Sequence, residues 1–214
     1  CTTHGVDAVE NGLFLKAMKR FEPEGAVYLV HAEDESLTRV AEIELRRAGR
    51  EDGMVIPEWR NRLAEQVAVT TVAQLAQASG AKVIIAHCSH PTIVDIVSHY
   101  RNLGTRIWAE GCPQYFHLRE DEIKQLGALR KFTPPARALA PNDFEPMWER
   151  LRNGAISYLA SDHAPSTRSQ KSGGSIWDVH FGLPGIDTTF PVMLDAVCRG
   201  TLSLWRLVEL YALM

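Results

Sequence analysis

The chain has 214 residues, of which 45% are hydrophobic, and its formal net charge is −3. A chain of this size can bury one large core, and its slight acidity argues against a nucleic-acid partner. No apolar run is long enough for a membrane span and no charged-then-apolar leader opens the sequence, so we expect neither membrane insertion nor secretion. Four scattered cysteines without a CxxC pair indicate reduced thiols and a cytoplasmic location.

The spacing of apolar residues predicts helices that alternate with four apolar strands. We predict strands that start at 26, 82 and 156 and a strand over 105–110. We predict helices over 13–21, 35–48, 59–79, 91–103, 118–126, 188–199 and 202–214, and a further helix that is capped by Asn142 and runs to 151. Loops are predicted over 49–57 and 166–185. Such alternation is typical of an α/β protein with a parallel sheet.

The strand count and the missing phosphate-binding turn narrow the fold class. A doubly wound open sheet usually carries a glycine-rich turn after its first strand, and no such turn occurs in this sequence. We therefore predict a partial (β/α)8 TIM barrel, in which all active-site residues lie at the carboxyl ends of the strands. Four strands make half of such a barrel.

Polar residues end three of the four predicted strands, and they are His31, His87 and Asp162. Counting in twos places each on the face of an apolar row, which is Val27 and Leu29 for His31, Val83 and Ile85 for His87, and Ile156, Tyr158 and Ala160 for Asp162. One such histidine is more often a core residue, and one such aspartate could brace a loop, but three matched cases favour a shared site. Two histidines and an aspartate suit zinc or a similar divalent metal.

Six short motifs in a fixed order extend this interpretation. They are His-Ala-Glu-Asp at 31–34, Ala-His-Cys-Ser at 86–89, Glu-Gly-Cys-Pro-Gln-Tyr at 110–115, Pro-Pro-Ala-Arg at 134–137, Ser-Asp-His-Ala-Pro at 161–165 and Gly-Leu-Pro-Gly-Ile-Asp at 182–187. Together they resemble the cyclic amidohydrolases, which include dihydropyrimidinase, hydantoinase, allantoinase and dihydroorotase. The likeness covers nearly the whole chain, and Cys-Pro-Gln-Tyr is closest to the dihydropyrimidinase and hydantoinase branch.

The resemblance implies a (β/α)8 barrel with a small β-sandwich and a site with two metals, usually zinc, although other divalent metals are possible. In that family a carboxylated lysine and a hydroxide bridge the metals. His31 and His87 look like the two histidines on the second metal, at the ends of strands five and six. Asp162 looks like the catalytic strand-eight aspartate, which binds the first metal and shuttles the proton. The resemblance also implies a homo-oligomer, either a dimer or a tetramer.

Some family features match nothing in this sequence. The His-x-His of strand one and the lysine of strand four have no counterpart, and residues 1–4 look like the segment just after that lysine. Thr2 falls near the place of an active-site tyrosine in hydantoinases. We therefore interpret residues 1–214 as one partial catalytic barrel domain, without the N-terminal half-barrel and the β-sandwich.

The implied substrate is a small cyclic amide of the dihydropyrimidine, hydantoin, allantoin or dihydroorotate type, opened by attack of a metal-bound hydroxide. Thr133 replaces a serine before the Pro-Pro pair, where a backbone contact to substrate could persist. Phe181, beside His180, replaces an asparagine of the family. From these positions the resemblance assigns Thr133, His180 and Phe181 to substrate binding. His90 and His163 are interpreted as structural or as hydrogen-bonded neighbours of the site.

Two alternatives to a working enzyme remain open. Dihydropyrimidinase-like proteins without metal ligands act as scaffolds, and the sequence could also be an inactive fragment of an enzyme. His31, His87 and Asp162 favour the enzyme, because a scaffold need not keep all three. For the 214 residues alone we expect little or no hydrolase activity.

Overall fold

A computed structural model describes residues 8–212, so the predictions for residues 1–4 and for the last two residues of the final helix lie outside the described part. The strands are β1 (Val27–Val30), β2 (Lys82–Ile85), β3 (Ile107–Gly111) and β4 (Ile156–Leu159). The helices are α1 (Asn11–Phe21), α2 (Glu35–Arg47), α3 (Val55–Trp59), α4 (Arg62–Ser79), α5 (Pro91–Asn102), α6 (Ile123–Leu126), α7 (Glu145–Arg152), α8 (Arg168–Ser172), α9 (Ile186–Cys198) and α10 (Leu204–Ala212).

The four strands form one parallel sheet in the order β1-β2-β3-β4. Each strand therefore pairs with the next strand along the chain, with helices in every crossover, which is the arrangement of consecutive units in a (β/α)8 barrel. The predicted α/β class and the partial barrel are confirmed. None of the helices within residues 8–212 combines the length and apolar character needed to cross a membrane.

The two faces of the sheet have different surroundings. On one face Val30, Val83 and Ile85 are buried against the helices as part of the main core. On the other face, Val27 and Leu29 of β1 are 54% and 64% exposed. The open face is the one that would line the interior of a barrel.

Two predicted boundaries around α4 are wrong. The predicted loop over 49–57 contains the start of α3, whose buried side chains form a second, smaller apolar cluster. The helix predicted over 59–79 begins at Arg62, because the Asn61 side chain accepts a hydrogen bond from the Ala64 amide at 3.0 Å and caps α4 there.

Two predictions in the second half of the chain also need correction. Asn142 does not cap a helix; it lies inside a 3₁₀ turn over Pro141–Phe144, where the Asp143 carboxylate accepts hydrogen bonds from two backbone amides. The predicted loop over 166–185 contains α8, which Thr167 caps through the Gln170 amide. Short capped turns of this kind carry too little apolar periodicity to be detected in sequence.

Candidate active site

His31 and His87 meet at the carboxyl ends of β1 and β2. The Nδ1 atom of His31 lies 2.8 Å from the Nε2 atom of His87, and the ring centroids are 4.7 Å apart. Both rings line a cavity of about 140 Å³ that Asp162 also lines. The structure therefore brings the three predicted residues to one place, although their role as metal ligands stays a prediction.

The backbone reaches this arrangement through two left-handed residues. His87 has φ of 37° and Asp162 has φ of 47°, a conformation that non-glycine residues rarely adopt. Val83 and Ile85 face the helices while Leu29 faces the open side, so the prediction that alternation puts His31 and His87 on matching faces is wrong for His87. The left-handed conformation ends the strand geometry at His87, and alternation no longer applies there.

A buried carboxylate holds His87 in this conformation. The backbone amide of His87 donates a hydrogen bond of 2.9 Å to Oε1 of Glu110, and the Tyr158 hydroxyl donates to Oε2 of Glu110 at 2.7 Å. Backbone strain of this kind costs about 1–3 kcal/mol and persists where the surroundings fix it, often at functional sites. Glu110 ties β3 to the end of β2 and thus sets the position of His87.

A second buried carboxylate lies behind His31. Oε2 of Glu33 is 2.8 Å from Nε2 of His31, accepts from the Thr133 hydroxyl at 2.6 Å, and lies 3.4 Å from Nη1 of Arg60. Burial by itself raises the pKa of Glu33, but the contact with His31, the Arg60 charge and the Thr133 hydrogen bond lower the pKa to about 2. Glu33 is therefore an ionised anchor for the His31 ring.

Asp162 has a different electrostatic environment from Glu33. Burial, reinforced by the charge of Glu110, raises the pKa of Asp162 to about 6, although His31 opposes the shift. The Gln114 amide donates to Oδ2 of Asp162 at 3.3 Å, whereas Oδ1 has no hydrogen-bond partner among residues 8–212. A carboxyl group that titrates near neutral pH with one uncommitted oxygen suits proton transfer.

The histidine pair fits part of a metal site. Within residues 8–212, no group of three or more His, Cys, Asp or Glu side chains is arranged to hold a metal ion by itself. However, Nδ1 of His87 is buried and lacks a hydrogen-bond partner in the described part of the chain, and Nε2 of His31 contacts a carboxylate as metal-binding histidines commonly do. These residues could supply two ligands of one cation, and the described chain lacks a complete set.

The three predicted substrate residues differ in position. Thr133 and Phe181 line the cavity with the histidines, and the Phe181 ring centroid lies 4.2 Å from Nζ of Lys131. The Thr133 hydroxyl is already bonded to Glu33. His180 is exposed and is not among the residues that line this cavity.

The two histidines interpreted as structural each contact the start of a helix through Nδ1. Nδ1 of His163 accepts hydrogen bonds from the amides of Gly185 and Ile186 at 3.0 and 3.2 Å, at the start of α9. Nδ1 of His90 accepts from the Thr92 amide at 3.2 Å and caps α5. Both rings therefore accept backbone hydrogen bonds at Nδ1 in this geometry.

Sequence reasoning missed a third buried carboxylate, Glu65 of α4. Its Oε1 accepts from the Ser89 amide at 3.1 Å, its Oε2 accepts from the Ser89 hydroxyl, and Nη2 of Arg137 lies 3.5 Å away. Burial raises the pKa of Glu65, and Arg137 opposes that shift. Glu33 and Glu110 at least lie inside the quoted motifs, whereas Glu65 lies in a helical pattern that marks nothing unusual.

No model of a protein family matches the chain. An L-hydantoinase from Paenarthrobacter aurescens is 31% identical over 206 residues, which are 95% of this chain and 44% of the relative. A dihydroorotase from Halobacterium salinarum is 34% identical over 97% of this chain and 46% of the relative, and an allantoinase from Escherichia coli is 32% identical over 95% and 46%.

The fold comparison agrees with these relatives. A solved L-hydantoinase (dihydropyrimidinase) from Arthrobacter aurescens superimposes with a TM-score of 0.91 and 29% identity, over 98% of this chain and 47% of that structure. The chain thus spans about half the length of the curated relatives that it matches.

Proposed function

We propose that this chain, which is related over nearly its whole length to the cyclic amidohydrolases, supplies half of the active site of a metal-dependent hydrolase that opens a cyclic amide. The observation that carries the proposal is the single cavity lined by His31, His87 and Asp162. Two of these residues adopt strained left-handed backbone conformations, which a purely structural role does not require.

His31 and His87 would hold one divalent cation, with zinc as the expected metal, and Asp162 would contact a second. When bound, such cations lower the pKa of water and polarise the amide carbonyl. The remaining ligands that the resemblance implies match nothing in the 214 residues, so a longer protein would have to provide them.

Asp162 would move the proton in this reaction. Its free Oδ1 atom can take a proton from the attacking water and return it to the leaving ring nitrogen, while Gln114 holds Oδ2. In the metal-free chain the pKa of Asp162 is about 6, so this carboxylate can both accept and release a proton near neutral pH. Asp162→Asn should therefore abolish turnover while keeping the ring-binding cavity.

The cavity walls would orient the ring and exclude water. Phe132 and Phe181 supply apolar surface beside the two histidines. Because the Thr133 hydroxyl is committed to Glu33, any contact of Thr133 with a substrate amide would come from its backbone. His180 lies outside these walls and would contribute only through the loop that carries Phe181.

The test is a panel of dihydrouracil, hydantoin, allantoin and dihydroorotate, assayed with zinc in the full-length protein that contains this sequence. We expect ring opening of at least one substrate and its loss in the Asp162→Asn variant. Failure to open any ring in a protein that binds zinc would favour a non-catalytic scaffold. His180→Gln is the matched control, because this exposed residue lies outside the cavity lining.

The 214 residues assayed alone provide a second comparison. We expect little or no turnover, because the open face of β1 and the incomplete ligand set within residues 8–212 leave the site unfinished. We also propose that the full-length protein is cytoplasmic and forms a homo-oligomer. Sedimentation of the full-length protein would test its oligomeric state. Turnover by the 214 residues close to that of the full-length protein would contradict the assignment of the site.

A further inference from the structure

We propose that Glu33 is a positioning residue that fixes the tautomer of His31, keeping a proton on Nε2 and leaving Nδ1 without one. This inference rests on the proposed function only in treating His31 as a metal ligand. The pairing of a buried carboxylate with one ring nitrogen is a geometric property of the chain itself.

The hydrogen-bond roles around His31 follow from the chemistry of the partners. Oε2 of Glu33 accepts from the Thr133 hydroxyl and faces the Arg60 guanidinium, so this oxygen is an acceptor and its 2.8 Å contact with His31 requires a proton on Nε2 of the ring. The carboxylate cannot easily turn away, because Thr133 donates to the same oxygen and the Arg60 guanidinium lies beside it. Glu33 is fully buried, so water does not compete for this contact.

The choice of tautomer is transmitted to the second ring. With Nε2 protonated, Nδ1 of His31 is an acceptor, and Nε2 of His87 at 2.8 Å must donate to it. Nδ1 of His87 then carries a buried lone pair without a partner among residues 8–212. In the opposite tautomer, the proton would lie on Nδ1 of His31 and would block the nitrogen that faces His87.

The chain contains a matched control for this proposal. Glu65 is also a buried carboxylate that is paired with an arginine and a hydroxyl, but its bonds go to Ser89 and Arg137, and none goes to a histidine within residues 8–212. Glu65→Gln removes the same kind of charge without touching His31. If the loss of any buried carboxylate changed the tautomer of His31, the change would appear in both variants. A specific positioning role predicts the change only in the Glu33 variant.

The experiment measures ring ¹⁵N shifts and two-bond ¹H–¹⁵N correlations in the metal-free 214-residue chain, with the His31 signals assigned by a His31→Asn variant. We expect wild-type His31 to carry its proton on Nε2. In Glu33→Gln, whose amide group can donate toward the ring, we expect the Nδ1–H form to become populated, while Glu65→Gln keeps the wild-type pattern. A wild-type ring with its proton on Nδ1, or an unchanged ring in Glu33→Gln, would overturn the proposal.

Zinc titration supplies a second readout. Partners of this type commonly change metal affinity by about 10- to 100-fold, so we expect that loss in Glu33→Gln and a smaller loss in Glu33→Asp, which keeps the charge beside Arg60. Equal losses in Glu33→Gln and Glu65→Gln would contradict a specific role. A correct tautomer in a chain whose zinc affinity does not depend on His31 would uphold the positioning role and contradict the proposed metal function instead.

Discussion

Glu33 and Glu65 are two buried carboxylates with similar neighbours and opposite electrostatic behaviour. We define the Glu33 cluster as Glu33, Arg60, Thr133 and His31, and the Glu65 cluster as Glu65, Ser89 and Arg137. The pKa of Glu33 is lowered to about 2, whereas burial raises the pKa of Glu65 above its ordinary value.

The difference comes from the donors that each carboxylate receives. Glu33 gains a close ring nitrogen in addition to a hydroxyl and a guanidinium, and these outweigh its burial. The Arg137 guanidinium lies 3.5 Å from Glu65, and the negative charge of Glu33 acts against it. Burial is therefore the largest influence on the pKa of Glu65. An arginine and a hydroxyl alone thus do not determine the charge state of a buried carboxylate. The imidazole partner makes the Glu33 cluster the more strongly ionised of the two.

The largest expected effect comes from neutralising each carboxylate in turn. Glu33→Gln should lower the free energy of unfolding at pH 7 by about 3 kcal/mol, because the folded state favours the charged form by roughly the free energy of its pKa shift. Glu65→Gln should cost less than Glu33→Gln, because burial moves the pKa of Glu65 upward and so favours its charged form less. Denaturant unfolding measures both, and a greater loss in Glu65→Gln would reverse the comparison.

The linked pH dependence has a definite sign. Because the folded pKa of Glu33 lies below its ordinary value of 4.5, its contribution to stability is present above pH 4.5 and is lost as the pH falls toward 2. Glu33→Gln should flatten this acid limb of the stability curve. An unchanged acid limb would show that Glu33 is not ionised as described.

Replacing the arginines should have a smaller effect. Arg137→Met removes the main group that opposes protonation of Glu65, so the folded pKa of Glu65 should rise further. Because a raised folded pKa contributes stability that is lost as the pH increases, we expect the loss in Arg137→Met to grow as the pH rises above 4.5, the ordinary pKa of a glutamate. Arg60→Met should show no such trend, because His31 and Thr133 still hold the charge of Glu33. Equal trends in the two variants would contradict the distinction.

His90, near the Glu65 cluster, provides a pH effect of similar or smaller size. Burial, followed by the charges of Arg62, Arg137 and Arg150 and opposed by Asp95, lowers the pKa of His90 to about 4. Its contribution to stability is therefore complete above pH 6.5 and is lost as the pH falls toward 4. His90→Asn keeps a capping oxygen. It should reduce the loss of unfolding free energy between pH 6.5 and pH 4 by about 1 kcal/mol, after allowance for the partial exposure of His90. An unchanged pH dependence of stability in His90→Asn would show that a group other than His90 titrates in this range.

The smallest effect is expected at an exposed pair on α9. Asp195 and Arg199 form an ion pair at 2.7 Å, and both side chains are largely exposed to solvent. Asp195→Asn should change the free energy of unfolding by less than about 0.5 kcal/mol, and added salt should remove even that difference. A loss as large as that of Glu33→Gln would mean that burial does not explain the contrast between the clusters.

The extent to which the sequence predicts these features depends on how local the signal is. The parallel sheet follows from strand periodicity, and the grouping of His31, His87 and Asp162 follows from their positions at strand ends. The left-handed backbone at His87 does not, because it depends on Glu110 of a neighbouring strand.

Long-range pairs were also beyond the sequence pattern. Arg60 contacts Glu33 across 27 residues, and Arg137 contacts Glu65 across 72 residues. No periodicity joins positions so far apart, and each charged residue by itself resembles an ordinary solvent-exposed position of a helix or loop. Only the packed structure shows that these charges are buried and paired.

The most direct test of the central claim is zinc affinity in three single variants of the full-length protein that contains this sequence, measured by calorimetric titration. We expect His31→Gln and His87→Gln each to weaken zinc binding by at least about 10-fold, because each removes one of the paired ring nitrogens. His180→Gln should bind zinc like the wild type, since this exposed residue lies outside the cavity lining. Equal zinc affinity in the wild type and all three variants would contradict the claim that His31 and His87 form the metal-binding half of an active site.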